Sequence, residues 1–582
     1  MENRRFVLIA LLAVVGFFLF QSWQDDYGSA RNGDAQAESA APLPPANPDD
    51  VPAALPVDAG KTAPTTPTDI DVPQAVSAKA PADAPPADPG ARVVVETDVV
   101  RAEIALQGGQ LRRLELKGYG VSAEHPEQNL SLLDDRMGRL FILQSGLVGT
   151  ESALVTHLTE FSTKTPHVRL ADGQDAVELV LTASVDGAEV RKIYRFERDR
   201  YLAEIRHEVT NTGAAALDLS PYARFQRTAF ATGGEPRFAM TFTGTAFYEQ
   251  REDGDGYRFE KIKLDDVADE AFEKQQTGGW IGFLQHYFVT AIINDPDAVA
   301  TFATRPAADQ GYFAQYVGAS RTVAPGEQQV FVTPFFVGPK LQDRLPDIAP
   351  GMQLTTDYGI LTPISGPLFW VLSKFHALTG NWGFAIILLT LLVKGAMYKL
   401  SEAQYRSMAK MKKFAPRIAD IRERYSDNRE ALQKAMMDLY KKEGFNPLAG
   451  CWPLLLQFPV FIALYWVLLE SVELRQAPFI LWIDDLALPD PWFVLPVLFG
   501  ISMWVQQKIS GQQMMDPTQQ KIMMVMPIML AAFFTFFQSG LVLYWLTSNL
   551  IGIAQQWYIT RKLEREDAAK AAEATAREVF EK

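Results

Sequence analysis

Cysteine and histidine are nearly absent: Cys451 and six histidines serve a chain of 582 residues. A lone thiol builds neither a disulfide framework nor a thiolate metal site, and the apolar run around Cys451 suits a small buried hydrophobe. No CxxC, HExxH or GxSxG pattern occurs, which removes the commonest thiol, zinc and serine-nucleophile frameworks. Gly60-Lys61-Thr62 resembles the end of a P-loop. Leu55 stands where that loop needs its first glycine, however, and the triplet lies in Pro-rich chain rather than between a strand and a helix. No cofactor or metal is implied. Basic charge is also in deficit, with 55 Lys and Arg against 69 Asp and Glu, which argues against a nucleic-acid-binding module.

What charge there is divides the chain into two polymers. Residues 6–361 carry 30 basic and 49 acidic side chains, whereas residues 362–582 carry 23 and 19. An acidic, water-exposed part therefore precedes an apolar part whose loops are basic, as in a membrane protein with a large external domain. Arg4 and Arg5 precede an apolar run at 6–20, so residues 1–23 read as an uncleaved signal anchor with its N-terminus in the cytoplasm. Residues 24–90 are rich in Ala, Pro, Asp and Ser without apolar periodicity and read as a disordered linker.

From 91 to 345 the period becomes two. Tyr201, Ala203, Ile205, His207 and Val209 alternate with polar neighbours up to the turn signal Asn211-Thr212-Gly213, and similar runs recur between Gly and Pro. A single antiparallel β-sandwich is expected, with His207 as a hydrogen-bonded core histidine rather than a catalytic base.

Residues 362–380 form an amphipathic stretch too polar to span, expected to lie in the membrane interface. Five candidate spans follow at 382–400, 448–469, 492–507, 522–537 and 541–559, each near the roughly 20 residues a bilayer core requires. The segment 399–445 holds twelve basic and seven acidic residues, while 470–490 holds Arg475 against five acids. Positive loops stay inside, so both termini are placed in the cytoplasm and the β domain across the membrane.

Lys394 lies within the first of these spans. It shares a helical stripe with Gly383, Ile387, Thr390 and Met397. A charge at mid-bilayer costs about 2.5 to 3.5 kcal/mol on insertion scales, so the lysine either snorkels to the interface or faces a polar cavity. Pro453, Gln457 and Pro459 interrupt the next span, and Trp545, Asn549, Gly552 and Gln556 stripe the last beside Tyr544, Ser548 and Gln555. A groove shared by three polar stripes accounts for all of them. The Met- and Phe-rich span from Met523 to Phe537 offers an adaptable apolar surface next to it. Between the first two of these spans, residues 401–446 read as a basic helical hairpin. Met408 and Met411 lie on its first apolar face, Lys412 and Lys413 follow, and a capping box of Asp427 and Glu430 opens the second helix.

The runs NWGFAIILLTLLVKGAMY, NPLAGCWPLLLQFPVFIALYWVLLESVELRQAPF, DPTQQKIMMVMP and SGLVLYWLTSNL resemble the membrane core of the YidC insertase, Oxa-type family, and GGWIGFLQHYFVTAIIN resembles part of its Gram-negative periplasmic domain. The resemblance implies a polytopic α-helical inner-membrane protein of six spans, with a five-helix insertase core at 381–560, a periplasmic β-sandwich on a mutarotase-like scaffold and a cytoplasmic tail at 561–582. It further implies a membrane insertase and chaperone, not an enzyme, that receives nascent membrane proteins in a groove open to cytoplasm and lipid, alone or with the Sec translocon and ribosome. Lys394 falls where the family carries a positive residue, and lysine lacks the planar fork of arginine. Thr390, Gln457, Ser548 and Asn549 fall in the implied groove, and Tyr544, Trp545 and Phe458 on the face along which a client slides. The tail balances six basic with six acidic residues, so no strong grip on ribosomal RNA is implied. The rival reading is a secondary transporter or proton relay working through Lys394.

Overall fold

The alternation expected at 201–209 is realised in the strand Leu202–Asn211, where Ala203, Ile205, His207 and Val209 are buried between half-buried polar neighbours. Asn211 ends the run. Its Oδ1 accepts from the Gly213 amide at 3.0 Å, and its Nδ2 donates to the Ala215 and Val323 carbonyls at 2.8 Å each. The strand lies between Ala188–Glu197 and Gln328–Pro339, with His207 opposite Lys192 on one side and Phe331 on the other. These strands belong to an eight-stranded antiparallel sheet. A twelve-stranded sheet lies beside it and contains one parallel pair, Arg92–Glu96 with His167–Arg169, so pairing departs from the wholly antiparallel pattern expected. The structure, a computed structural model, describes residues 52 and 90–580 apart from 123–124, 137–138, 150–152, 186, 231–241, 252–255, 308–310, 426–427, 443–451 and 511–516. The expected signal anchor, nearly all of the linker, Cys451 and Asp427 lie outside the described residues.

Both sheets contribute to one buried cluster in which Phe141 meets Phe225 and Phe283 edge-on, at 6.0 and 5.6 Å. Gly282 shows how closely the strands approach: a Cβ there would lie 1.7 Å from the Thr290 carbonyl oxygen. His207 departs from expectation. It is fully buried, but neither ring nitrogen has a partner among the described residues. Burial and the neighbouring Lys192 hold its pKa well below the ordinary value, so the ring stays neutral. Lys192 is itself buried and donates to the Gly108 and Ser145 carbonyls at 2.8 and 3.0 Å.

The helical part begins with α1 (Thr362–Thr379), ended by Gly380 at φ 65°, and α2 (Trp382–Ala396), capped by Asn381, whose Oδ1 accepts from the Phe384 amide at 3.1 Å. Then follow α3 (Tyr398–Arg424), α4 (Arg429–Lys442), α5 (Trp452–Glu470), α6 (Val494–Ser510), α7 (Pro517–Phe534) and α8 (Ser539–Phe580). Among the described residues no single helix is long and apolar enough to cross a membrane alone. The expected span at 382–400 breaks at Met397: α2 and the first turns of α3 satisfy the requirement together, but meet at a 62° bend. Proline lies inside α5 and α7 (Pro459 and Pro527), where each removes one backbone donor from its helix. The tail expected from residue 561 continues α8 without interruption to Phe580. On α4 the cap is Asn428, whose Oδ1 accepts from the Ala431 amide at 3.0 Å.

The two halves meet through buried polar contacts. His286 Nε2 donates to the Leu469 carbonyl at 3.0 Å, which assigns the proton to that nitrogen, and burial with the nearby Lys340 pushes the imidazole pKa down to about 3. Gln342 bridges the halves, its amide donating to Glu473 at 3.0 Å and its Nε2 to Ser471 Oγ at 3.2 Å. Gln476 Nε2 and Arg475 NH2 donate to the Gly120 carbonyl at 3.0 and 2.8 Å. Burial raises the Glu473 carboxyl to about 7.

Candidate functional site

The site grows from the packing of α2 against α8. One side of α2 buries Ala385, Ile386 and Leu389 in the cluster that also holds Leu541, Val542 and Leu546 of α8. Gly383 fits tightly against the loop after α5: a Cβ there would lie 2.0 Å from the Phe479 ring. Asn381 Nδ2 holds the same loop through the Pro478 and Phe479 carbonyls, at 3.2 and 3.0 Å.

About two turns beyond Gly383, Thr390 is 1% exposed, and its hydroxyl donates to the Ile386 carbonyl at 2.7 Å, so it serves its own helix. Lys394 follows in the last turn of α2, where the helix leaves carbonyls without intrahelical partners and its dipole favours a cation. Gln555 of α8 donates Nε2 to the Lys394 carbonyl at 3.2 Å. The Lys394 side chain is half-buried, and its Nζ has no hydrogen bond or ion pair with the described residues.

The polar stripe of α8 divides among neighbours. Asn549 Nδ2 donates to Ser502 Oγ on α6 at 2.7 Å, and Ser502 Oγ in turn donates a hydrogen bond to the Phe499 carbonyl at 2.7 Å. Tyr405 of α3 donates to the Gly552 carbonyl at 3.2 Å. Ser548 and Gln457 are half-buried. Gln555 Oε1 and Trp545 Nε1 are buried without partners among the described residues, a costly arrangement in an apolar interior. Neither orphan was legible from spacing alone.

Beside this stripe stands an aromatic wall. Trp545 stacks on Phe461 at 5.5 Å and lies 3.9 Å from Phe534. Tyr544 is 3% exposed within the same cluster, whereas Phe458 on α5 is 47% exposed. Met524, Met529, Phe533 and Phe536 are exposed along α7 and the turn after it. Met408, Met411, Lys412 and Lys413 lie on α3, with their side chains outside the described residues.

The far end of the bundle is tied shut. The turn between α7 and α8 bonds to the loop after α5: the Ser539 amide and hydroxyl both donate to the Leu488 carbonyl at 2.7 Å, and the Gly540 amide to Leu486 at 2.9 Å. Gln538 Nε2 reaches Tyr287 of the β domain at 3.4 Å. Asp490 accepts from Trp482 Nε1 at 2.9 Å and from the Leu495 amide at 2.7 Å, fixing the start of α6.

Fold and site together define a helical bundle with apolar outer faces and an internal polar stripe beside the half-buried Lys394, joined to a large β-rich domain. Residues 374–566 match the family model described as 60Kd inner membrane protein, and residues 92–371 match the YidC periplasmic domain. The chain is 43% identical to the membrane protein insertase YidC of Thioalkalivibrio sulfidiphilus, across 97% of this chain and 99% of the relative. It is 40% identical to that of Nitrosococcus oceani, across 97% and 100%. A crystal structure of an active YidC insertase with its first transmembrane domain resolved aligns at a TM-score of 0.39 and 18% identity, over 80% of this chain and 92% of that one. The chain belongs to the YidC family of membrane protein insertases, inner-membrane proteins with a periplasmic domain. Its activity is therefore insertion of membrane proteins rather than covalent catalysis, and the transporter reading of Lys394 has no counterpart among these relatives.

Proposed function

We propose that insertion proceeds through a groove whose polar floor is Lys394, Thr390, Gln457, Ser548 and Asn549. The observation that carries this reading is the half-buried Lys394 ammonium, unpaired among the described residues, beside the orphaned acceptor of Gln555. A client's acidic or polar segment supplies the missing partner, and each polar group then crosses less hydrocarbon. Its apolar helix leaves past Phe458, Tyr544 and Trp545 and along the Met- and Phe-lined face of α7 into lipid, driven by burial of apolar surface. The closed end formed by the loop after α5 and the turn before α8 supports entry from the opposite, cytoplasmic end, where Met408, Met411, Lys412 and Lys413 of the hairpin receive the chain. In this reading the domain boundaries fall at 91–345, 362–380 and 381–560, the protein crosses the membrane six times with both termini cytoplasmic, the β domain is a sandwich, and Sec translocon and ribosome are optional partners.

A photo-reactive residue at Gln457 or Phe458, during synthesis of a single-span client with an acidic tail, tests the path. Crosslinks at both positions and none at the outward Trp504 are expected; equal labelling at all three contradicts the groove.

A further inference from the structure

The segment that joins α5 to α6 is turned inside out for a loop in water. Of its acids, Glu470, Asp485 and Asp490 are buried and Glu473 accepts from the Gln342 amide of the β domain, leaving Asp484 as the one exposed carboxylate. Asp490 is occupied by the Trp482 indole and the Trp492 and Leu495 amides, at 2.9, 3.0 and 2.7 Å, and Asp485 by the Ala487 amide at 2.8 Å. The apolar side chains point the other way: Ile480 is 45%, Leu481 81%, Trp492 67% and Phe493 50% exposed. Single apolar residues on a surface are ordinary, but four in one loop whose carboxylates are turned inward form a patch.

The backbone holds this arrangement. The Phe479 amide donates to the Ile483 carbonyl at 2.9 Å and the Ile483 amide to the Ile480 carbonyl at 3.2 Å, closing a tight turn with Leu481 at its tip. Leu481 and Phe493 take φ of 56° and 58°, a left-handed region that bulky side chains seldom occupy. Trp482 stacks on Trp492 at 5.5 Å and ties the two projections together. The patch is continuous with a helix face: Phe493 opens a stripe on α6 in which Val497, Ile501 and Trp504 are exposed at successive turns.

We infer that the Ile480–Leu481 turn, with Trp492 and Phe493, inserts into the outer leaflet of the membrane and seats its side chains among the first acyl methylenes. The family is one of inner-membrane proteins, and lipid is the apolar phase that the α6 stripe meets in the proposed topology. The leaflet rests on that topology, which puts the closed end of the bundle on the periplasmic side. Insertion is shallow, about 5 to 10 Å, because Asp484 stands three residues from the tip and stays among the headgroups. A loop seated there holds the shut end of the groove within the leaflet rather than above it.

Quenching of a small fluorophore on the full chain in nanodiscs tests this. The probe is placed at Leu481→Cys, at Ile480→Cys as a second position, and at the exposed Asp172→Cys of the β domain as an aqueous reference, each with Cys451→Ser. Lipids brominated near the headgroup end of the chain are expected to quench the probes at 480 and 481 about twofold and that at 172 not at all, while iodide in the buffer quenches 480 and 481 about fivefold less than 172. Iodide quenching at 481 equal to that at 172 overturns the inference. A probe at 481 that neither quencher reaches overturns it too, since protein, such as a second copy, then covers the turn. Labelling of Asp172→Cys by a membrane-impermeant maleimide in spheroplasts reads the topology separately: its absence overturns the outer leaflet, while quenching still reports insertion. Crosslinking at Gln457 and Phe458 reads the groove independently of both.

Discussion

Gln555 donates its side-chain amide to the backbone carbonyl of Lys394 across 3.2 Å, so α8 caps the end of α2 just before the chain bends by 62°. That carbonyl belongs to the last turn of α2, and the bond fixes the backbone from which the lysine side chain projects. Gln555→Leu keeps the volume and removes both the donor to this part-buried carbonyl and the orphaned Oε1, so its two effects on stability oppose each other while the tie between α8 and α2 is lost. A several-fold drop in insertion of an acidic-tailed client is expected, smaller than that from loss of the charge, measured by protease protection in proteoliposomes.

Asn549 and Ser502 join α8 to α6 through one 2.7 Å hydrogen bond. A double-mutant cycle of Asn549→Ala and Ser502→Ala, read by unfolding in mixed micelles, should give a coupling of about 0.5 to 1.5 kcal/mol. Additive losses would mean that the bond contributes nothing beyond its separate side chains.

Gly383 leaves room for the Phe479 ring, which a Cβ would approach to 2.0 Å. Gly383→Val should therefore destabilise the protein by about 1 to 3 kcal/mol, as overpacked sites do. Adding Phe479→Ala should restore much of the lost melting temperature. A Gly383→Val protein as stable as the parent would refute the contact.

Glu473 gives the junction between the domains a pH dependence of defined sign. Its folded pKa is raised from 4.5 to about 7 by burial. Between those values the unfolded chain loses its proton while the folded chain keeps it, so this group's contribution is full below pH 4.5 and is lost as pH rises through 7. Glu473→Gln imitates the protonated form. The melting temperature of the full chain in detergent should fall more between pH 5 and 7.5 for the parent than for the variant, and the difference cancels groups common to both, His286 included.

The strand period at 202–211, its stop at Asn211 and the helical character of the chain after 362 were legible because alternation and apolar runs follow from local geometry. The orphaned ring of His207 was not, since the same alternation that buries a histidine is silent on what stands opposite it, here Lys192 and Phe331. The bend at Met397 was also hidden, because the apolar run continues across it. At the candidate site, residue types at helical spacing brought Lys394, Asn549 and Gln555 to notice, but their partners Ser502 and the Lys394 carbonyl come from other helices and required the packing. The stripe likewise gave no sign that Tyr544 would be enclosed and Phe458 left exposed, since both depend on how α5 meets α8.

Insertion of a single-span client with an acidic tail, measured in proteoliposomes holding the parent, Lys394→Arg or Lys394→Met, tests the central claim most directly. The charged floor predicts that arginine retains activity within about twofold while methionine, similar in length and apolar, loses about tenfold or more at unchanged melting temperature. Insertion by Lys394→Met at the parental rate would contradict it.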